Sequence, residues 1–219
     1  MVPLVLDRRA GAPLRVLCLG AHADDIEIGA GGTILTLLHR HHDAQVLWVV
    51  FAAAGERAQE AEASAAAFLA AAGSHEVCVH GFRDGFFPSE FQRLKETFED
   101  IKARFHPTLI FTHHHADRHQ DHRTLAELTW NTFRDHLVLE YEIPKYDPDL
   151  GNPNLFVPLS PDCAARKVDL LTTCFTSQKN RRWFVPATFH AMMQIRGVQA
   201  AAPSGLAEGF YAPKLHMQI

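Results

Sequence analysis

Short apolar runs alternate with helix-length segments along the first two thirds of the chain. The runs are strand-sized and uninterrupted, as in RVLCLG at 15–20 and QVLWVVFA at 45–52. A helix is predicted between such runs at the Ala-rich stretch 57–72, with Gly73 as its C-cap. Strands that alternate with helices indicate βαβ units and a parallel sheet. The sequence therefore predicts an α/β fold, a Rossmann-like three-layer sandwich with a mostly parallel sheet.

The alternation continues as far as Tyr141, after which prolines break the chain. Periodicity predicts further strands and helices at 26–40, 76–80, 89–105, 108–112, 122–133, 162–174, 187–196 and 210–217. The apolar residues at 155–159 are expected to form a packed loop rather than a linker. A single domain over 1–219 is expected, with a core at about 14–143 and a loop-rich C-terminal part at about 144–219.

Composition excludes several classes of protein. The chain has 219 residues, 47% of them hydrophobic, and a net charge of −4, so a globular protein without a basic surface for nucleic acid is expected. The N-terminus does not resemble a signal peptide, and no apolar stretch is long enough for a membrane helix. These features predict a cytoplasmic protein without membrane insertion. The four widely spaced cysteines are expected to be reduced core residues.

Fifteen histidines are an unusual number for this length, and several of them lie in two polar clusters. The first cluster is AHADD at 21–25, directly after the first strand, and the second is HHHADRHQDH at 113–122, directly after TLIFT. Ligands of an open parallel sheet bind beyond the carboxyl ends of the strands. Mixed imidazole and carboxylate groups suit a divalent metal such as zinc, and three protein ligands leave a position open for water. Both clusters are therefore candidates for a metal site.

Residue spacing alone leaves two interpretations of these clusters open. His22, Asp25 and His122 can converge as ligands, with Asp24 as a general base and His119 as a donor to an oxyanion. Alternatively, the histidines are solvated loop residues and the two aspartates are the N-cap and first-turn acids of a helix. GAGG at 29–32 also suggests a dinucleotide loop, but it begins nine residues after the strand and GxGxxG is absent.

Two separated motifs resemble signatures of a known family. AHADDIEIGAGGTI at 21–34 is similar to AHPDD-E-x-G-x-GGT of the PIG-L/LmbE-like deacetylases, and HADRHQDH at 115–122 is similar to their D-x-H-P-D-H. These deacetylases are zinc enzymes that remove N-acyl groups from amino sugars. The resemblance extends over roughly residues 14 to 135 and includes Gly55-Glu56 and the segment 82–85.

The resemblance implies a role for each residue that matches the signatures. His22, Asp25 and His122 match the zinc ligands, Asp24 the general base, and His119 the histidine that stabilises the oxyanion or donates a proton. Zinc is the implied cofactor, with another divalent metal as the alternative.

Other matches and departures concern the substrate side of the site. Arg57 and Asp84 match positions near the family's substrate pocket, although an exposed helix-start Arg and a turn Asp are equally good interpretations. Ala23 and Gln120 stand where proline is common, which affects loop stiffness more than chemistry.

The resemblance implies a zinc-dependent hydrolase that removes the N-acetyl group from an N-acetylated amino sugar or sugar conjugate and releases acetate. A small-molecule sugar is thus the expected partner, with a homo-oligomer as a weaker expectation. Two alternatives remain open: a metal-dependent amide hydrolase of a non-sugar N-acyl substrate, and a non-hydrolytic Rossmann-like nucleotide-binding module.

Overall fold

Seven strands form one sheet in the computed structural model of the chain, which describes residues 4–6 and 12–216. In chain order the strands are β1 (Arg15–His22), β2 (Gln45–Ala52), β3 (Ser74–Val79), β4 (Leu109–His113), β5 (Leu137–Tyr141), β6 (Leu155–Pro158) and β7 (Ala207–Tyr211). Their order across the sheet is β3-β2-β1-β4-β5-β7-β6. The first five strands are parallel, whereas β7 is antiparallel to both β5 and β6.

Helices cover both faces of this sheet. In chain order they are α1 (Asp25–Arg40), α2 (Glu56–Phe68), α3 (Phe91–Arg104), α4 (Gln120–Thr132), α5 (Pro161–Cys174) and α6 (Pro186–Gln199). One face is covered by α1, α2, α5 and α6, and the other by α3 and α4, with an apolar core beneath each set. The predicted three-layer α/β sandwich with a mostly parallel sheet is thereby confirmed.

Burial on both faces explains why the central strands could be predicted from the sequence. In β2 every residue after Gln45 is buried, and β4 is buried throughout. A parallel strand covered by helices on both faces needs apolar side chains in both directions, so its sequence is an almost continuous apolar run. None of the helices in the described ranges is long and apolar enough to span a membrane.

The GAGG segment lies inside α1, not in a loop before it. A Cβ atom on Gly29 would lie 2.2 Å from Cδ2 of Tyr141, and one on Gly31 would lie 2.7 Å from Cε1 of Phe68. The glycines therefore allow β5 and α2 to approach the helix closely. This packing role accounts for the segment and removes its support for a dinucleotide loop.

The C-terminal part contains more regular structure than predicted. The expected packed loop at 155–159 contains β6, and the expected closing strand at 210–217 is β7, which begins at Ala207 (Met217 lies outside the described residues). β6 is a four-residue edge strand that ends in Pro158. Proline is tolerated at a sheet edge, and so short a strand shows no clear alternation. β5 was also missing from the predicted elements.

Helix boundaries differ from the prediction in α2 and α4. α2 ends at Phe68, so Gly73 is not its C-cap. Gly73 instead lies against the chain before β2, where an added Cβ would lie 2.9 Å from Cα of Asp43. α4 begins at Gln120, and its N-cap is His119. The helix therefore starts within the second polar cluster.

Candidate active site

The two polar clusters meet at the centre of the sheet. β1 ends at His22 and β4 ends at His113, and these strands are neighbours. Strand order reverses between them, because β2 and β3 continue to one side of β1 and β5 continues beyond β4. Such a reversal opens a crevice at the carboxyl ends of the strands. α1 and α4 begin at this crevice and bring both clusters to it.

Three donor atoms form a compact triangle in the crevice. Nδ1 of His22 lies 3.3 Å from Oδ2 of Asp25, which lies 3.6 Å from Nε2 of His122, and the two ring nitrogens are 3.3 Å apart. Bonds of about 2.0–2.2 Å in a tetrahedral zinc site place neighbouring ligand atoms about 3.3–3.6 Å apart. The residues predicted as ligands therefore fit a divalent metal ion in both chemistry and spacing.

Carboxylates contact the other nitrogen of each imidazole. Oδ2 of Asp117 lies 2.9 Å from Nδ1 of His122. Nε2 of His22 lies 3.3 Å from Oδ2 of Asp121 and 3.1 Å from Oδ1 of Asp84. Histidines that bind a metal usually donate their second N–H to a carboxylate, which fixes the tautomer and the orientation of the ring. Both imidazoles have this arrangement.

The two imidazoles differ in their electrostatic environment. Burial alone would lower the pKa of His22, but hydrogen bonds to Asp121, Asp25 and Asp84 raise it well above its usual range. Burial, together with the neighbouring His113, lowers the pKa of His122 to about 4. The crevice thus combines a neutral imidazole with carboxylates that favour a bound cation.

Asp121 also fixes the turn that carries Asp84. Its Oδ2 accepts a hydrogen bond of 2.6 Å from the amide of Gly85, and its Oδ1 accepts one of 3.1 Å from the amide of Phe87. Asp84 is thereby held beside His22, while its side chain remains 77% exposed. It lies at the mouth of the crevice.

Asp24 lies beside the triangle and is buried. It occupies the N-cap position of α1, yet its side chain makes no capping hydrogen bond. Its Oδ2 lies 3.0 Å from Nη2 of Arg57. Burial raises the pKa of Asp24 to about 6, although the Arg57 charge opposes this shift. The side chain therefore does not act as a helix cap, and its raised pKa is suited to proton transfer near neutral pH.

Arg57 is held between Asp24 and the C-terminal part of the chain. Its Nη2 donates to the carbonyl of Ala23 at 2.8 Å, and its Nη1 lies 2.9 Å from Oε2 of Glu60. Glu60 in turn accepts hydrogen bonds from the amide and hydroxyl groups of Ser177, at 2.7 and 2.6 Å. Arg57 therefore faces Asp24 directly and is more than an exposed residue at a helix start.

His119 approaches both imidazoles of the triangle. Its ring centroid lies 4.9 Å from that of His22 and 4.6 Å from that of His122. The amide of Asp121 donates to Nδ1 of His119 at 3.3 Å, which leaves the ring proton on Nε2. Burial and the charge of His22 lower the pKa of His119. A neutral ring with an N–H at Nε2 can donate to a developing negative charge.

His113 supports the triangle but does not offer it a free lone pair. The amide of Ala21 donates to Nε2 of His113 at 3.0 Å. The ring stacks on that of His122, with centroids 3.9 Å apart and an interplanar angle of 18°. His113 therefore packs behind His122.

His114 and His115 belong to a separate hydrogen-bonded cluster. Their Nδ1 atoms lie 2.7 and 2.8 Å from Oε2 of Glu140, whose Oε1 accepts a 2.6 Å hydrogen bond from Nε1 of Trp130. These distances are normal for hydrogen bonds and shorter than the spacing of atoms that share a metal ion. The spacing in this cluster is therefore that of a hydrogen-bonded network, unlike the wider spacing of the donor triangle.

Four residues that support the site were given no role by the sequence: Asp117, Asp121, Glu60 and Lys145. Asp117 and Asp121 belong to the second signature, where their alternation with histidine was an available signal for carboxylates that orient imidazoles. Glu60 lies within the family resemblance, as part of Glu60-Ala61, but its contact with Ser177 could not be read from the sequence because the two residues are 117 positions apart. Lys145 had no signal in the sequence. Lys145 contacts Asp117 across 28 residues.

The fold and its donor triangle define an α/β protein with a candidate metal centre at the carboxyl ends of its central strands. Comparison with known proteins is consistent with this class. The PIG-L family, described as GlcNAc-PI de-N-acetylase, matches residues 17–133, more than half of the chain. An uncharacterized deacetylase, YaiS of Escherichia coli K12, is 26% identical over 136 residues, covering 59% of this chain and 74% of its own.

Two solved structures illustrate the range of this fold. N,N'-diacetylchitobiose deacetylase of Pyrococcus horikoshii has a TM-score of 0.66 at 18% identity, covering 90% of this chain and 82% of its own. The 4-carboxy-2-hydroxymuconate hydratase GalB of Pseudomonas putida KT2440 has a TM-score of 0.67 at 17% identity, covering 94% and 98%. Deacetylation and hydration therefore occur on one fold, which by itself does not specify the reaction.

This chain belongs to the PIG-L/LmbE-like family. As a member of it, the protein is a hydrolytic N-deacetylase.

Proposed function

We propose that the protein is a zinc-dependent deacetylase that removes the N-acetyl group from an amino sugar or sugar conjugate and releases acetate. The observation that carries the proposal is the triangle of His22, Asp25 and His122 beside the buried carboxylate of Asp24. Family membership supports deacetylation, and an imidazole–carboxylate donor set supports zinc.

His22, Asp25 and His122 would hold the metal, with the outer carboxylates keeping the imidazoles in orientation. The chemistry supplied by a divalent metal bound there is Lewis-acid activation of water and of the amide carbonyl.

Asp24 is proposed as the general base. Arg57 engages its Oδ2, which leaves Oδ1 to accept a proton from the attacking water. The same interaction prevents the carboxylate from rotating away. The proton taken by Asp24 then passes to the departing amine nitrogen as the C–N bond breaks.

His119 is proposed to stabilise the oxyanion. Its Nε2–H would donate to the carbonyl oxygen as negative charge develops there. Its neutral state suits this role, because the N–H stays in place throughout the reaction.

Two side chains lie on the substrate side of the site. Asp84 is exposed at the mouth, and Arg57 keeps its side chain partly exposed there, so both are proposed to contact the substrate. The deacetylase with the same fold acts, by its name, on N,N'-diacetylchitobiose, which supports an amino-sugar amide here. A non-sugar N-acyl substrate would use the same catalytic residues and is distinguished only by substrate profiling.

The domain organisation, cellular location and oligomeric state of the enzyme are also proposed. We infer a single domain, because β6 and β7 of the C-terminal part join the sheet of the N-terminal part. A cytoplasmic location and a homo-oligomer remain proposals from the sequence and the family.

Acetate release from a panel of N-acetylated sugars tests the proposed function. The panel includes N-acetylglucosamine, N,N'-diacetylchitobiose and UDP-N-acetylglucosamine, each with untreated, chelator-treated and zinc-restored protein. We expect release that disappears with chelator and returns with zinc. Activity that survives complete removal of metal would contradict the zinc proposal. Absence of acetate release from every sugar of the panel by folded, zinc-loaded protein would contradict the proposal of a sugar substrate.

Replacement of His119 by alanine separates oxyanion stabilisation from metal binding. We expect the His119→Ala variant to keep its zinc and to lose about 10²–10³-fold in kcat, since one donor to the oxyanion is removed. Steady-state kinetics and metal analysis check both parts. His115→Ala is the matched control, because it also removes an imidazole from this loop. The His115 side chain is 60% exposed. Wild-type kcat in His119→Ala would refute the assignment.

A further inference from the structure

Lys145 lies behind the candidate metal site, on the segment that follows β5. Its Nζ lies 2.9 Å from Oδ2 of Asp117 and 2.6 Å from Oδ2 of Asp149. The lysine side chain is only 11% exposed, and both aspartate side chains are buried. A cation with two carboxylate partners in such an environment has restricted freedom of movement.

Asp117 connects this lysine to the donor triangle. The oxygen that Lys145 contacts, Oδ2, is also the oxygen 2.9 Å from Nδ1 of His122. The other oxygen, Oδ1, accepts a 2.7 Å hydrogen bond from the amide of His119. The Asp117 carboxylate therefore contacts the candidate ligand His122, the backbone amide of His119 and Nζ of Lys145.

Asp149 also contacts the loop that precedes α4. Its Oδ2 accepts a 2.7 Å hydrogen bond from the amide of Arg118, between Asp117 and His119. Lys145 and Asp149 thus connect the C-terminal part of the chain to the loop that precedes α4. This loop carries both Asp117 and His119.

The charges explain why the lysine matters. Lys145 is the cation that contacts the Asp117 carboxylate, so its removal leaves this buried carboxylate without that partner even when the charge of Asp149 is removed as well. Leaving one buried charge without its partner is strongly unfavourable. The Asp117 side chain would then no longer be held in place by Nζ of Lys145, and a less firmly held carboxylate is a weaker acceptor for His122.

We propose that Lys145 is a positioning residue that acts through Asp117 to keep Nε2 of His122 directed at the metal. The inference rests on the proposed function, because it requires His122 to be a ligand. It assigns to the C-terminal part of the chain a role in metal affinity.

Zinc affinity of the full-length protein tests this inference without relying on turnover. Removal of Lys145 alone also changes the charge near the metal, so the informative variant is Lys145→Met combined with Asp149→Asn, which leaves the net charge unchanged. We expect its Kd for zinc, measured by competition with a chromophoric chelator, to rise about 10- to 100-fold, as when a carboxylate that hydrogen-bonds to a metal-ligating histidine is disturbed.

The matched control is a second lysine–acid pair at the same spacing in the chain. Lys95 and Glu99 form an ion pair on α3 and do not contact the triangle. Lys95→Met combined with Glu99→Gln should leave the zinc Kd unchanged. Lys145→Gln with Asp149→Asn retains an N–H donor near Asp117, and should raise the Kd less than the methionine variant does.

The state of His122 provides a readout that general loosening of the fold would not mimic. In metal-free wild type, ¹⁵N NMR should show the ring proton on Nδ1, where Asp117 accepts it. The Lys145→Met/Asp149→Asn variant should show a mixture of the two tautomers. If Lys145 acts through Asp117, adding Asp117→Asn to this variant should raise the Kd little beyond Asp117→Asn alone, since coupled residues are not additive.

The results separate failure of the inference from failure of the proposed function. Wild type that does not bind zinc would remove the ligand assignment, and the inference with it. Tight binding by wild type and an unchanged Kd in the folded Lys145→Met/Asp149→Asn variant would overturn the inference alone. Should that variant not fold, the same Kd criterion applies to Lys145→Gln with Asp149→Asn.

Discussion

Replacement of Asp24 by asparagine should abolish most turnover while the protein stays folded and keeps its metal. Asparagine has nearly the same shape and can still accept from Arg57, but it cannot take a proton from water. Loss of a positioned general base costs about 10²–10⁴-fold in rate. We therefore expect kcat for acetate release to fall by that factor, with zinc content equal to that of wild type.

The pH dependence of the wild type checks the same assignment. Burial raises the pKa of Asp24 to about 6, and only the ionised carboxylate acts as a base. Activity should therefore fall as the pH drops through this region. A bound cation would lower this pKa, so the midpoint is expected at or below about pH 6. The acid limb should be absent from any residual activity of Asp24→Asn.

A matched control separates catalysis from helix capping. Asp162 lies in the first turn of α5, so Asp162→Asn also removes an acid from the start of a helix. Its kcat should equal that of wild type, with only a small change in thermal stability. Full activity of Asp24→Asn would show that Asp24 is not the base. Equal losses in both variants would show that the helix start was damaged.

Replacement of His122 by alanine should remove both metal and activity. The change deletes the ring nitrogen that lies 3.3 Å from His22 Nδ1 and 3.6 Å from Asp25 Oδ2, leaving two of three proposed protein ligands. We expect zinc content after dialysis to become substoichiometric, and acetate release to fall to the background of metal-free wild type. Atomic absorption and a steady-state assay measure the two quantities on one preparation.

His106 provides the control for the loss of an imidazole. It is exposed and lies before the amino-terminal end of β4, whereas the crevice is at the carboxyl ends of the strands. His106→Ala should retain full zinc content and full activity. Stoichiometric zinc in His122→Ala would contradict the proposed ligand set and direct attention to the remaining imidazoles of the crevice.

The two variants differ in which part of the candidate site they leave intact. Asp24→Asn keeps the triangle of donor atoms and removes the proton acceptor beside it. His122→Ala keeps the proton acceptor and removes the triangle. If the proposed function is correct, the first variant binds zinc without turnover and the second has neither property.

The central strands and their helices could be predicted because their burial is encoded locally. β1, β2 and β4 are covered on both faces, which requires uninterrupted apolar runs. The short edge strand β6 was mistaken for a loop, since half-exposed residues in a four-residue strand do not form a clear pattern. Its pairing with β7 depends on contacts with residues about fifty positions later in the chain.

The location of the candidate site was determined by the sequence alone. Clusters of histidine and aspartate directly after two strands had to lie at the carboxyl edge of a parallel sheet, and the two signatures identified the family. The structure adds the register in which β1 and β4 pair, with Cys18 opposite Phe111, and this was decided only by the tertiary structure. So was the choice of nitrogen at each imidazole, with Nδ1 of His22 and Nε2 of His122 facing Asp25.

The supporting contacts were likewise decided by the tertiary structure. Sequence could not distinguish His113, whose Nε2 accepts the Ala21 amide, from a ligand, nor connect Lys145 to Asp117. The physical reason is that residue type and strand position are local properties, readable from the order of amino acids. Side-chain direction and hydrogen-bond partners depend on packing between segments that are distant in the chain, such as those of His22 and His122, which are 100 residues apart.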